Sequence, residues 1–191
     1  MIEVENLTVT YPGATRPALK AASLRLAAGE CLLMTGPTGC GKSTLLNCLN
    51  GLLLNESGAQ VEGEVKLAGQ SLRNCPLAEI ATLAGTVRQD PATQLCTATV
   101  ATEVMFGLEN LGVPLEESEI RRTEALNQVG LGDLRERATS ELSGGQQQRL
   151  LIACALALRP RVLLLDEPLS QLDPQGAAEI VAVLDQIRRQ G

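Results

Sequence analysis

The sequence has no histidine, no tryptophan and only two aromatic residues, Tyr11 and Phe106. Without histidine the commonest zinc ligand is missing. The six cysteines, Cys31, Cys40, Cys48, Cys75, Cys96 and Cys154, form no CxxC pair, so reduced core or pocket thiols are expected rather than a metal or disulfide framework. Two rings cannot build a stacking platform for bases. No basic tract is present either, and 16 basic against 22 acidic residues leave a net charge of -6, so no nucleic-acid partner is expected. No run approaches the roughly 18 apolar residues that cross a bilayer. The start, Met1-Ile2-Glu3-Val4-Glu5, lacks the basic region of an export signal. These features predict a cytosolic protein and leave a peripheral seat on a membrane partner open.

What is present is aliphatic. With 191 residues and 45% hydrophobic content the chain can build one sizeable core, filled by Leu, Val, Ile and Ala. Met1–Tyr11 reads as a strand, Pro12-Gly13 as a turn and Leu19–Leu26 as a returning strand. Cys31–Thr35 reads as a short apolar strand that feeds a glycine-rich loop and a helix over Lys42–Leu52. Val61, Val65 and Leu67 predict an edge-like strand, Pro76–Ala84 a short helix and Thr86–Gln89 a brief extended piece. Helices are expected over Thr99–Leu111, from Pro114 to about Val129, and over Ser143–Leu158. Val162–Leu165 is a buried-type strand, and Ile180, Val183, Leu184 and Ile187 mark a last amphipathic helix ending near Gln190-Gly191. Strands around a helical middle imply an α/β fold.

Two patterns carry chemistry. Gly36-Pro37-Thr38-Gly39-Cys40-Gly41-Lys42-Ser43-Thr44 fits GxxxxGK[ST] between a predicted strand and a helix. Its glycines let successive N–H groups point inward at anionic oxygens. Lys42 is placed to reach the β- and γ-phosphates, Ser43 to offer a hydroxyl to Mg²⁺, and Thr44 to support a phosphate contact. The second pattern, Val162-Leu163-Leu164-Leu165-Asp166-Glu167-Pro168, puts two carboxylates at a strand tip, where α/β sheets bind ligands. Asp166 suits Mg²⁺, and Glu167 suits polarisation of an attacking water.

Leu142-Ser143-Gly144-Gly145-Gln146, followed by Gln147-Gln148-Arg149, resembles the signature motif of ABC ATPases. Tyr11 matches that family's adenine-stacking aromatic, Gln89 its Q-loop glutamine and Ser170-Gln171-Leu172-Asp173 its D-loop. The resemblance implies a P-loop NTPase (RecA-like) core with an N-terminal antiparallel β part and a helical insertion, about residues 90–145, carrying the signature motif, within a single nucleotide-binding domain over residues 1–191. It further implies ATP and Mg²⁺ as ligands and head-to-tail pairing with a second ABC ATPase domain. Ser143, Gly144, Gly145 and Gln146 of one copy would then meet the ATP held by the other. Asp173 would cross the interface, and Gln89 would sense Mg²⁺ and water.

Gln89-Asp90-Pro91-Ala92-Thr93-Gln94 and Glu103-Val104-Met105-Phe106-Gly107-Leu108-Glu109-Asn110-Leu111-Gly112 are similar to the ATPases of energy-coupling-factor and cobalt- or nickel-uptake transporters. That similarity implies a transmembrane coupling protein, reached through the Gln89 loop, a substrate-binding membrane component and a seat on the cytoplasmic face of the membrane. Arg88 stands where such chains often have phenylalanine, and Leu169 where threonine often follows Glu-Pro. The family also has a further strand and a switch histidine roughly thirty residues beyond Glu167, between the phosphate-loop strand and the Asp166 strand. A chain ending at Gly191 is therefore expected to be incomplete, to fold poorly alone and to hydrolyse ATP slowly. Two other functions stay open here, a soluble ABC ATPase in DNA repair or translation and a non-catalytic nucleotide-binding domain.

Overall fold

The computed structural model describes residues 1–55, 58–170 and 172–190. They form two compact units, one up to residue 85 and one from residue 86.

The first unit is built on an antiparallel sheet with the order β2-β1-β3-β4, where β1 is Ile2–Thr10, β2 Leu19–Leu26, β3 Gln60–Leu67 and β4 Gln70–Ser71. Val4 pairs with Leu24 on one side and with Val65 on the other. The register shifts near Asn6, which adopts φ 52. Opposite it, a Cβ on Gly63 would lie 2.6 Å from the carbonyl oxygens of Glu5 and Asn6, so only glycine lets the strands approach there. Val4, Leu7, Val9, Val65 and Leu67 are buried. Helix α1, Lys42–Leu49, packs on β3 and buries Leu45, Leu46, Cys48 and Leu49.

Three sequence expectations need correction in this unit. The strand over β3 is not at an edge, because it pairs with β1 along its length and with β4 at its end. The helix expected over Lys42–Leu52 stops at Leu49. Gly51 takes φ 82, and a Cβ there would collide with Ile80 of α3 (Leu77–Leu83), so the chain turns before α2, Leu52–Asn55. Residues 31–35 are not a strand: no described strand pairs with them, and Leu33 is 82% exposed. An apolar run meets the composition of a strand but needs a ladder partner to become one.

The second unit, which begins within β5 (Ala84–Val87), pairs that strand with β6 (Val162–Leu165) and adds α4 (Val100–Asn110), α5 (Leu115–Gln128), α6 (Gly144–Ala157) and α7 (Pro174–Gln190). Helix α6 is the hub, packing on α4, α5 and α7 with Leu150, Ile152 and Ala153 fully buried. Thr99 and Thr102 form a capping box at the start of α4. Pro114 precedes α5, whose first turn carries Glu116 and Glu117, as its sequence predicts. Gly130, at φ 69, follows its last turn. Strand β5 lies two residues earlier than expected, which leaves Gln89 in a loop.

The expected fold class holds: a P-loop NTPase, RecA-like core with an N-terminal antiparallel sheet, and a helical insertion leading to Ser143. Aliphatic residues fill the core as composition requires. All six cysteines are free. Cys48 and Cys75 are buried and Cys154 packs against the core, as expected of core thiols. Cys40 sits exposed in the phosphate loop, and Cys31 and Cys96 are exposed, which the expectation of core or pocket thiols did not foresee. Gln171, within the D-loop match, and Gly191, at the expected end of the last helix, lie outside the described residues. No helix among the described residues is long and apolar enough to cross a membrane.

Candidate nucleotide site

The phosphate loop, Gly36–Thr44, is held by its own backbone. The Cys40 N–H donates to the Pro37 carbonyl at 3.2 Å. Gly41 caps α1 at φ 100, and a Cβ there would lie 2.8 Å from the Ala18 carbonyl oxygen, so no larger residue fits. A Cβ on Gly36 would meet the Cys40 sulfur at 2.8 Å. Lys42 Nζ donates to the carbonyls of Gly36 at 2.9 Å and Pro37 at 3.3 Å, so its ammonium sits across the loop. Helix α1 has no side-chain cap and no acid in its first turn, and its positive end is therefore open to an anion. Thr38 and Gly39 are exposed, and the Tyr11 hydroxyl shares a 3.2 Å hydrogen bond with Thr44 Oγ1, which fixes the ring beside α1. Tyr11, Lys42 and Thr44 thus come together with the loop in the first unit.

Gln89, Ser143, Asp166, Glu167 and Asp173 belong to the second unit. The Asp166 N–H donates to the Val87 carbonyl at 2.9 Å, so Asp166 leaves β6 beside the point where the Gln89 loop leaves β5. Asp166 is half-buried. Glu167 is exposed and held at φ 49, a left-handed conformation that non-glycine residues rarely adopt. Its carbonyl accepts both the N–H and the hydroxyl of Ser170, at 3.1 and 3.0 Å, which closes the turn after the strand.

Ser143 and Gln146 cap α6 reciprocally. Ser143 Oγ accepts the Gln146 N–H at 3.3 Å, and Gln146 Oε1 accepts the Ser143 N–H at 3.0 Å. Gly144 and Gly145 follow, and the fold does not require them. Neither has a positive φ, and a Cβ on either would meet nothing closer than 3.9 Å. Glycine at a helix start with room for alanine sacrifices helix stability, and the N–H groups of these two donate to no described residue. They border a cleft of about 430 Å³ also lined by Gln146, Leu172, Asp173 and Gly176. Asp173 caps α7: its Oδ1 accepts the Gly176 N–H at 2.9 Å.

Three supporting residues carry roles that sequence reasoning did not assign. Gln94 hydrogen-bonds the backbone on both sides of Gln89. Glu103, 6% exposed, accepts the N–H groups of Cys96 and Thr97 and the Thr97 hydroxyl, at 3.1, 2.7 and 2.8 Å. It falls on the apolar stripe of α4 between Val100 and Val104, and an acid in a buried row is the signal that could have found it. Arg149 spans from α6 to the Val129 carbonyl and to Glu179 of α7. Among the described residues no group of three His, Cys, Asp or Glu side chains could hold a metal ion.

The family model for ABC transporters matches residues 19–170. The chain is 45% identical over 190 residues to a Methanosarcina acetivorans protein described as an ABC transporter ATP-binding protein, covering 100% of this chain and 30% of that one. It is 40% identical over 191 residues to YkoD of Bacillus subtilis, described as an HMP/thiamine import ATP-binding protein, covering 35% of it. The chain spans about a third of the length of the curated relatives it matches. Among solved structures, cbiO1 of Clostridium perfringens, part of the ABC transporter complex cbiONQ, superposes with a TM-score of 0.87 at 34% identity, over 99% of this chain and 74% of that one. The ATP-binding cassette MJ0796, a dimer bound to ADP and Pi after hydrolysis, superposes with a TM-score of 0.81 at 30% identity, over 100% and 84%.

Proposed function

Because the chain belongs to the ABC transporter family, we propose that it binds and hydrolyses ATP with Mg²⁺ and drives import through a membrane complex. The observation that carries this reading is the pair of glycines at 144 and 145, whose N–H groups donate to no described residue although the fold has room for side chains there. A second copy, or a second ABC ATPase domain, presenting its triphosphate head to tail gives those groups an occupant.

In this reading, the loop N–H groups and Lys42 bind the triphosphate, whose oxygens replace the Gly36 and Pro37 carbonyls as acceptors for the ammonium. Tyr11 stacks on the adenine. Ser43 and Asp166 would each offer a hard oxygen donor of the kind Mg²⁺ prefers. When bound, Mg²⁺ neutralises charge on the β- and γ-phosphate oxygens. Glu167 would orient and polarise the attacking water, and Gln89 would sense Mg²⁺ and that water. Asp173 supports the neighbouring copy's site from the cleft beside Ser143.

Similarity to the B. subtilis HMP/thiamine-import protein supports a vitamin as cargo, and the resemblance of Gln89–Gln94 and Glu103–Gly112 to cobalt- or nickel-uptake ATPases supports a transition-metal ion. The partners are then a transmembrane coupling protein docked at the Gln89 loop and a substrate-binding membrane component, with the ATPase on the cytoplasmic face of the membrane.

The test is phosphate release by the full-length protein assembled with its membrane partners, before and after Glu167→Gln. Turnover should fall by about 10²-fold or more while ATP still binds. A variant that turns over at the parent rate would sink the assignment of Glu167. Uptake of labelled thiamine precursor against cobalt or nickel by the same complex separates the cargo classes.

A further inference from the structure

We infer that Gln94 is a positioning residue that holds Gln89 at the apex of its loop, an inference that rests on the role proposed for Gln89. Beyond Val87 the sheet ladder ends, and Arg88, Gln89 and Asp90 are exposed. An exposed loop on this boundary would ordinarily satisfy its backbone with water. Here one side chain does so instead. Gln94 Oε1 accepts the Arg88 N–H at 3.0 Å, and Gln94 Nε2 donates to the Arg88 carbonyl at 3.1 Å. The side-chain amide thereby treats Arg88 as a neighbouring strand would, extending the β5 ladder by one residue. The second Nε2 hydrogen goes to the Asp90 carbonyl at 2.9 Å, so both donors of the amide are used.

The carbonyls gripped belong to the residues immediately before and after Gln89. Gln89 itself is exposed and makes no hydrogen bond to any described residue. The return limb is equally fixed. Asp90 Oδ1 accepts the Ala92 N–H at 3.1 Å, the Thr93 hydroxyl donates to the Asp90 carbonyl at 3.0 Å, and the Gln94 N–H donates to the Pro91 carbonyl at 3.0 Å. Next in the chain, buried Glu103 ties Cys96 and Thr97 to α4. A ring closed by one amide leaves Gln89 few positions and links its backbone to α4 through a short, bonded path. Displacement of about 1 Å at a catalytic contact can cost roughly a hundredfold in rate, which is the leverage available to Gln94.

Glutamate is the sharp probe, because it keeps the shape, loses both donors and sets a negative charge against two carbonyls. In the full-length protein with its membrane partners, Q94E and Q94A should each lower kcat between about tenfold and a hundredfold. KM for ATP and the melting temperature should stay near the parent values, and the Mg²⁺ concentration for half-maximal activity should rise. Q89A/Q94A should be no slower than Q89A alone, since both act through one contact. Parent-like kcat and Mg²⁺ dependence in Q94E and Q94A, alongside a crippled Q89A, would overturn the inference and leave the reading of Gln89 standing. A rate loss that follows a fallen melting temperature in both variants, or additive losses in the double variant, would overturn it as well. Parent-like turnover of Q89A would remove the reading of Gln89 and this inference with it.

Discussion

Tyr11 and Thr44, 33 positions apart, share a hydrogen bond of 3.2 Å. It joins the residue after the first strand to the first turn of α1, and Thr44 is only 8% exposed. Tyr11→Phe should therefore cost about 1 kcal/mol of stability in urea unfolding and leave ATP affinity nearly unchanged. Tyr11→Ala should in addition weaken binding of a fluorescent ATP analogue by about 1–3 kcal/mol, the worth of an aromatic stacked on a base. Equal affinities for the two variants would remove the ring from the adenine site.

Alanine at Gly144 or Gly145 separates fold from function. Neither position strains the backbone or crowds a neighbour, so thermal stability should stay level or rise by up to about 1 kcal/mol. ATP turnover by the full-length complex should nevertheless fall at least about tenfold, because the added methyl stands where an incoming phosphate must approach the N–H groups. Undiminished phosphate release would mean that these glycines serve no ligand.

Arg149 carries a heavier structural role than its place in the glutamine-rich stretch indicates. Its Nη1 donates to the Val129 carbonyl at 3.3 Å, beyond the end of α5, whose last turn has no basic residue of its own. Its Nη2 lies 3.6 Å from Glu179. Arg149→Met should cost about 1.5–3 kcal/mol in denaturant unfolding, because a buried carbonyl loses a charged donor. Glu179→Gln should cost under about 1 kcal/mol, since that carboxylate is 45% exposed.

Thiol chemistry should sort by burial. Cys31 and Cys40 are exposed and should label with a maleimide in the native protein, with ATP shielding Cys40 inside the phosphate loop. Cys48 should resist, because burial pushes its pKa up to about 11. Burial raises Cys154 as well. The folded chain then keeps the Cys48 proton where the unfolded chain releases it, so this thiol's contribution to stability declines as pH rises from about 9 to about 11. Unfolding curves across that range should flatten in Cys48→Val.

Much of this was legible in the sequence because local chemistry decided it. The starts of α4 near Thr99 and of α6 near Ser143, the apolar row of α7 and the glycine loop before Lys42 are all set by residues within a turn of one another. Long-range choices were not legible. The run from Cys31 to Thr35 reads as a strand whether or not a neighbour is there to pair with it, and β3 reads as an edge because pairing on two sides leaves no mark on its alternation. Gly51 ends α1 because Ile80, 29 residues later, occupies the space a side chain would need. At the candidate site, the groups proposed to react were named from their motifs alone. Gln94, Glu103 and Arg149 bond to atoms elsewhere in the chain and have no short motif to betray them.

The placement of Tyr11 against Thr44 has an optical consequence. The sequence holds no tryptophan and one tyrosine, so near-ultraviolet emission from these 191 residues comes from a ring bonded to the helix that starts at the phosphate loop. A reporter normally has to be engineered beside a binding site, and here the chain already holds one beside the loop proposed to take the triphosphate. Its intensity and anisotropy should register occupancy of the loop without any dye, against a background that the rest of the sequence leaves dark.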